Sequence, residues 1–290
     1  MKANRIYYLF IAIFFASCAP DPGKGTADYT IAYDTIGGVD PNLLSLDIYT
    51  DGVTGPAPVV IWVHGGGWQI GDKSNAMEFK ETLCKENGYL LVSLNYRLST
   101  SVSGVMHPNH VQDVAHGIAW VYNNIVQYGG DSTKIAVMGH SAGAHLAALV
   151  CTDETYLQTY GLDLSIIQGC GSFDTEGYNI PYAMTNSTDE NGIYTNAFGT
   201  NPSDWVNASP TLHVSAGKNI PGYFLFARRG SAVRQQIMYE FSDSLSSIGI
   251  ATTIIDATSL SHEQVNDHIG APNENIMTTP LLTFLQSVFN

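Results

Sequence analysis

The segment Gly139-His140-Ser141-Ala142-Gly143 sets a serine hydroxyl between two glycines. A short apolar run, Lys134-Ile135-Ala136-Val137-Met138, precedes it, and an Ala/Leu-rich run, Ala144-His145-Leu146-Ala147-Ala148-Leu149, follows. A strand, a tight turn and a helix in that order present a serine as a nucleophile. The turn forces strained backbone angles on the serine, and the flanking glycines leave room for that strain and for close strand–helix packing. Ser141 Oγ is then lifted above the sheet, and the Ala142 N–H opens the next helix facing a developing oxyanion. The bland alternative is a glycine turn with an idle serine.

A second glycine-rich stretch, His64-Gly65-Gly66-Gly67-Trp68, follows the apolar run Pro58–Val63. Consecutive glycines let backbone pass close to a ligand with N–H groups pointed at it. Gly66 and Gly67 are therefore the candidate oxyanion donors, with Ala142 as the third. One such donor is typically worth about 10²–10³ in rate. His64 reads as a residue that orders the loop by hydrogen bonding.

These residues need a scaffold, and the chain supplies alternating strand-like and helix-like segments. Tyr29–Ile36 and Leu43–Tyr49 alternate in the β manner around Gly37-Gly38, which predicts an antiparallel pair. Pro58–Val63 and Tyr89–Leu94 are continuous apolar runs, as expected of strands covered on both faces. Further strands are expected at Lys134–Met138, Ser165–Cys170, Gly222–Phe226 and Ala251–Ile255. Helices are expected at Lys73–Asn87, Asn109–Gln127, Ser141–Cys151 and Arg234–Ile248, and a last one from Thr279-Pro280. The pattern predicts an α/β fold: one eight-stranded, mostly parallel sheet with helices on both faces, spanning 29–290.

The formal net charge is −14 and no Lys/Arg cluster occurs, which argues against nucleic acid or an anionic membrane surface as a partner. Met1 to Cys18 reads as a targeting segment: Lys2 and Arg5 precede an apolar run, Ile6–Phe15, too short to span a bilayer. Its end, Phe15-Ala16-Ser17-Cys18, resembles the lipobox of bacterial lipoprotein signal peptides. Cys18 would then carry the lipid, residues 19–28 would form a flexible tether, and the protein would sit in the cell envelope, periplasmic or surface-displayed. A plain secretory signal is the alternative. Cys84, Cys151 and Cys170 show neither CxxC nor metal-ligand spacing and read as small buried hydrophobes, with one disulfide left open.

Together, His64-Gly-Gly-Gly-Trp68, Asn95-Tyr-Arg-Leu98, the run from Gln112-Asp113 through Gly129-Gly-Asp131, Gly139-His-Ser-Ala-Gly143 and His262 carry a family resemblance. The chain resembles an α/β-hydrolase, nearest to carboxylesterases of the hormone-sensitive-lipase and acetyl/feruloyl-esterase type. The resemblance implies a Ser-His-acid triad, no metal or other cofactor, and ester substrates with modest acyl groups. His262 lies past the last strand, where the histidine falls in the order Ser…acid…His. His268 is its only rival there; His107, His110, His116 and His145 read as packing or surface residues.

The acid departs from the family pattern. Relatives place an Asp shortly after the seventh strand, but here that turn reads Ala227-Arg-Arg-Gly-Ser-Ala-Val-Arg234, without a carboxylate. The end of the sixth strand, an alternative position in the superfamily, offers Asp174. That residue could orient His262 or merely cap a turn. Glu176, Asp256 and Glu263 are weaker candidates. Arg228, Arg229 and Arg234 read as a solvated cluster, with an anionic substrate as the alternative.

Thr175–Asn219 shows no clear secondary structure and carries Tyr178, Tyr182, Tyr194, Phe198 and Trp205. A loop of that length is usually a lid or binding wall, and its aromatics could line a pocket or pin the loop. The leading expectation is a serine carboxylesterase acting on small-molecule esters, with acylated carbohydrate suited to an envelope address. An amide hydrolase on the same triad and a catalytically silent binding fold are the alternatives.

Overall fold

The computed structural model describes residues 23–100, 104–186 and 192–290. Cys18, the targeting segment and the first residues of the tether lie outside these. Eight strands form one sheet: β1 (Tyr29–Ala32), β2 (Ser45–Tyr49), β3 (Ala57–Val63), β4 (Leu90–Leu94), β5 (Gly130–His140), β6 (Ile167–Phe173), β7 (Tyr223–Arg228) and β8 (Ala251–Asp256). Their order is β1-β2-β4-β3-β5-β6-β7-β8. The β1–β2 pairing is antiparallel and the sheet mostly parallel, as the patterning predicted; β2 also pairs antiparallel with β4.

The helices are α1 (Glu78–Glu86), α2 (Asn109–Asn124), α3 (Ala142–Thr152), α4 (Thr155–Gln158), α5 (Ile180–Asn186), α6 (Ile193–Phe198), α7 (Pro202–Asn207), α8 (Pro210–His213), α9 (Ala232–Ser247), α10 (His262–Asp267) and α11 (Thr278–Phe289). Alternate residues of one strand feed two cores. Val59, Ile61 and Val63 of β3 pack with α2, α3 and α9, while Val60 and Trp62 pack with α1, α10 and α11. That is why the central strands read as unbroken apolar runs.

Several elements differ from the sequence reading, and three of the differences have clear local reasons. Helix α1 starts at Glu78, not Lys73, because the Asp72 carboxylate closes a turn on Ser74 N and Ala76 adopts a left-handed φ of 55°. Helix α11 is not capped by Thr279: Glu274 accepts from the N–H groups of Met277 and Thr278. The stretch 175–219 contains α5 to α8, and Pro202 and Pro210 each open a helix behind Asn201 and Ser209. Cys84, Cys151 and Cys170 are free, buried thiols.

The turn between β5 and α3 is steric. A methyl on Gly139 would lie 2.5 Å from the Gly143 backbone, and one on Gly143 would lie 2.1 Å from Val63 O. Gly143→Ala is therefore expected to lower the urea midpoint, with an overpacking penalty of about 1–3 kcal/mol or more. An unchanged midpoint would contradict this packing.

Candidate active site

Parallel neighbours bring the ends of β5 and β6 together. Ser141 follows β5 and Asp174 follows β6, and Ser141 N donates to Phe173 O at 2.9 Å. Both adopt left-handed backbone, φ 56° at Ser141 and 54° at Asp174. Such angles are uncommon outside glycine, and Asp tolerates them better than most residues. The strained turn aims Ser141 Oγ out of the sheet.

His262 opens α10. Ser261 caps that helix reciprocally: its Oγ accepts from Gln264 N at 3.1 Å, and Gln264 Oε1 accepts from Ser261 N at 2.7 Å. His262 Nε2 lies 3.0 Å from Ser141 Oγ, and Nδ1 lies 2.6 Å from Asp174 Oδ2. Hydroxyl, imidazole and carboxylate thus form one hydrogen-bonded chain. With Nδ1–H donating to Asp174, Nε2 is left to accept the Ser141 proton, the arrangement that general-base activation of a serine requires.

The side chains of the other candidate acids and histidines make no hydrogen bond to those of Ser141 or His262 among the described residues. Asp256 is exposed and pairs with Arg228, Glu176 pairs with Arg234 at 3.3 Å, and Glu263 accepts from Ser261 Oγ. His145 is buried between Trp68 Nε1 and Ala208 O, and His110 contacts Ser99 Oγ. His116 stacks on Tyr160.

Of the three arginines read as a solvated cluster, Arg228 makes a surface pair with Asp256, whereas Arg229 and Arg234 turn inward onto Asp174. Arg234 Nη1 donates to Asp174 Oδ1 at 2.9 Å and to Asp174 O at 3.2 Å. Arg229 Nη1 reaches Asp174 Oδ2 at 3.3 Å, and its Nε holds Leu260 O, just before His262. The Asp174 side chain is fully buried. Burial by itself would raise its pKa, but the His262 hydrogen bond and the Arg234 charge outweigh burial and hold the carboxyl well below its usual range. The turn that lacks the expected acid thus supplies the cations that keep the relocated carboxylate ionised. Sequence order alone could not pair these residues, because 60 positions separate Arg234 from Asp174.

Gly66 and Gly67 line the same cleft as Ala142 and Ser141. Their backbone is left-handed or beyond, φ 113° and 59°, and a methyl on Gly66 would lie 2.0 Å from Ile70 O. Among the described residues, the amides of Gly66 and Gly67 donate to no protein acceptor, and the Ala142 amide, first in its helix, has none within it. The loop is braced from behind. Tyr96 OH donates to His64 O at 3.0 Å, the two rings stack at 4.4 Å, and His64 Nδ1 meets Gly65 O at 2.7 Å. Burial drops the His64 pKa to about 4, so its ring is a neutral prop.

The aromatics of 175–219 divide their roles. Tyr178 is buried, its hydroxyl 2.8 Å from Ser172 Oγ and its ring stacked on Phe241; Phe198 packs on Trp68. Tyr194 and Ile193 line the cleft. The cleft encloses about 1190 Å³, with Trp68, Ile70, Ile193, Tyr194 and Val233 as apolar wall and Asn75, Glu263, Asn266 and Asp267 as polar wall. His140, beside Ser141, packs its ring 4.4 Å from that of His262, and burial lowers its pKa to about 3.

Strand order and site together define an α/β-hydrolase fold. The chain belongs to the BD-FAE family, whose model matches residues 46–226. It is similar to the "Probable carboxylic ester hydrolase LipM" of Mycobacterium tuberculosis, at 31% identity over 67% of this chain and 46% of that protein. "Esterase LipQ" of the same organism is 32% identical over 68% of this chain and 47% of its own length. The chain thus spans about half the length of the curated relatives it matches. Among solved structures, a truncated carbohydrate esterase from gut microbiota superposes with a TM-score of 0.71 at 18% identity, covering 93% of this chain and 98% of that one. Thermogutta terrifontis esterase 2 follows with 0.67 at 21% identity, over 93% and 94%.

Because the folded Asp174 pKa is depressed below 3.8, its contribution to stability is fully present above that value and is lost as pH falls through the folded one. Arg234→Met removes the nearer cation, so acid unfolding, followed by circular dichroism, is expected to begin at higher pH than in the wild type. Coincident acid transitions would contradict the clamp.

Proposed function

We propose that the protein is a serine carboxylesterase that hydrolyses small, acetyl or aryl esters through an acyl-enzyme on Ser141. The observation that carries this reading is the continuous Ser141–His262–Asp174 chain of hydrogen bonds at 3.0 and 2.6 Å. Ser141 Oγ attacks the ester carbonyl as His262 Nε2 takes its proton, and Asp174 stabilises the imidazolium that forms. The amides of Gly66, Gly67 and Ala142 receive the oxyanion. His262 then protonates the departing alcohol. Water, deprotonated by the same imidazole, attacks the acyl carbonyl, and release of the acid restores Ser141.

The substrate is read from the cleft and the relatives. Arg234, the arginine that lines the cleft, is engaged by Asp174 and Glu176, and the rest of the lining is acidic or neutral, which favours uncharged esters over anionic ones. Asn75, Asn266 and Asp267 can accept hydroxyl donors, which suits an acyl group on a carbohydrate, and one structural neighbour is a carbohydrate esterase. The lipobox-like Phe15–Cys18 motif supports a lipid anchor at Cys18 and an address in the cell envelope.

Hydrolysis of p-nitrophenyl acetate by wild type, Ser141→Ala and Asp174→Asn tests the assignment. Activity is expected to vanish in Ser141→Ala and to fall by about 10⁴ in Asp174→Asn. Full activity in folded Ser141→Ala would overturn the nucleophile, and full activity in Asp174→Asn would overturn the acid. A faster reaction with the matching anilide would transfer the reading to amides.

A further inference from the structure

Lys80 belongs to the short helix α1, yet only 3% of it is exposed, in a chain whose other described lysines mostly reach solvent or a carboxylate. The triad chemistry above makes no use of it. Its Nζ donates to Ala76 O and to Asn266 O, both at 2.8 Å, and stands 4.6 Å from the centroid of the Trp62 ring. Trp62 and Asn266 line the cleft, and Ala76 adjoins Asn75, which lines it too. Trp62 is on β3, Ala76 follows Asn75 in the loop that leads from the glycine stretch, and Asn266 is in the last turn of α10.

The geometry of α10 gives this contact its consequence. The helix spans only His262–Asp267, so its two ends cannot move independently. Its start carries His262, fixed by the Ser261–Gln264 capping box. Its end presents carbonyls that bear the negative pole of the helix and attract a cation. Ala76, the other acceptor, is held at a left-handed φ of 55°, a conformation that needs support from its surroundings.

We propose that Lys80 is a positioning residue of the hydrolytic site: its ammonium ties the C-terminal end of α10 to β3 and the Ala76 turn, and so holds His262 in line with Ser141. The inference rests on the esterase reading above. Lys80 touches no reacting atom. It acts through the helix that carries the base, where a displacement of about 1 Å is enough to cost on the order of 10²-fold in rate.

The charge state of the tether varies near neutrality. Burial pulls the Lys80 pKa down to about 7, against the opposing pull of Asp267 on α10 and Cys84 on α1. His140 on β5 also faces it and is neutral. Below that pH the ammonium binds both carbonyls and the Trp62 face. Above it the amine keeps its N–H donors but loses its attraction for the helix end and the ring. The positioning therefore weakens as pH rises through about 7.

The test compares wild type, Lys80→Met and Lys80→Arg with p-nitrophenyl acetate. Lys80→Met is expected to lose at least about tenfold in kcat with KM nearly unchanged. Lys80→Arg, which keeps the charge and donors, is expected to recover most of the loss. The wild-type kcat is expected to fall about 2–5-fold above neutrality, a decline that Lys80→Met lacks. Folded Lys80→Met with wild-type kcat, or with the same alkaline decline, would overturn the proposal. Should Lys80→Met not fold, the wild-type profile and Lys80→Arg decide: a decline abolished in Lys80→Arg supports the tether, and a flat wild-type profile or an unaltered decline overturns it. Labelling of wild-type Ser141 by a fluorophosphonate is read separately, so failure of the esterase reading is distinct from failure of the tether.

Discussion

A single buried carboxylate organises the site. Asp174 has no solvent contact, and an isolated charge in that setting would neutralise by taking up a proton. It stays ionised because His262 and two guanidiniums surround it, with Arg234 on one oxygen and Arg229 and His262 on the other. The same contacts fix geometry. Arg234 also binds the Asp174 carbonyl, and Arg229 holds the backbone at Leu260, two residues before His262. The electrostatic requirement and the positional one are met by the same side chains.

That network shows how a carboxylate at the end of β6, rather than after β7 where the resemblance leads us to expect it, reaches His262. The ends of parallel neighbouring strands lie side by side, so β6 and β7 offer nearly equivalent approaches to the histidine. Moving the carboxylate one strand over leaves the β7 turn free to contribute cations instead. A buried ion network of this kind adds little net stability over an apolar core, but removing one member leaves a charge unpaired. Its value here is to keep a hydrogen-bond acceptor charged and aimed at Nδ1 of His262.

Much of this was legible in the residues. Continuous apolar runs in β3 and β4 announced strands buried on both faces, and Gly139-x-Ser141-x-Gly143 announced an elbow whose glycines are each demanded by backbone contacts. The spacing of Ser261 and Gln264 held a capping-box signal for α10 that the reading of His262 did not use. Other features lay beyond pattern. The Arg234–Asp174 and Lys80–Asn266 contacts join residues 60 and 186 positions apart, and such pairs are created only when the sheet assembles. The short helices α5 to α8 lack a sustained apolar period; they are held by caps, prolines and contacts such as Tyr178 on Phe241. Local sequence therefore pointed to Ser141 and its glycine loop more readily than to the electrostatics that surround His262.

The central claim is that Ser141, activated through His262, becomes covalently acylated. Its most direct test is rapid quenching of the protein with p-nitrophenyl acetate, followed by peptide mass mapping. The account predicts one acetyl group on the peptide containing Ser141, formed in step with a burst of p-nitrophenol and absent from Ser141→Ala. A burst with the acetyl group on another residue, or turnover by folded protein lacking the Ser141 hydroxyl, would contradict it.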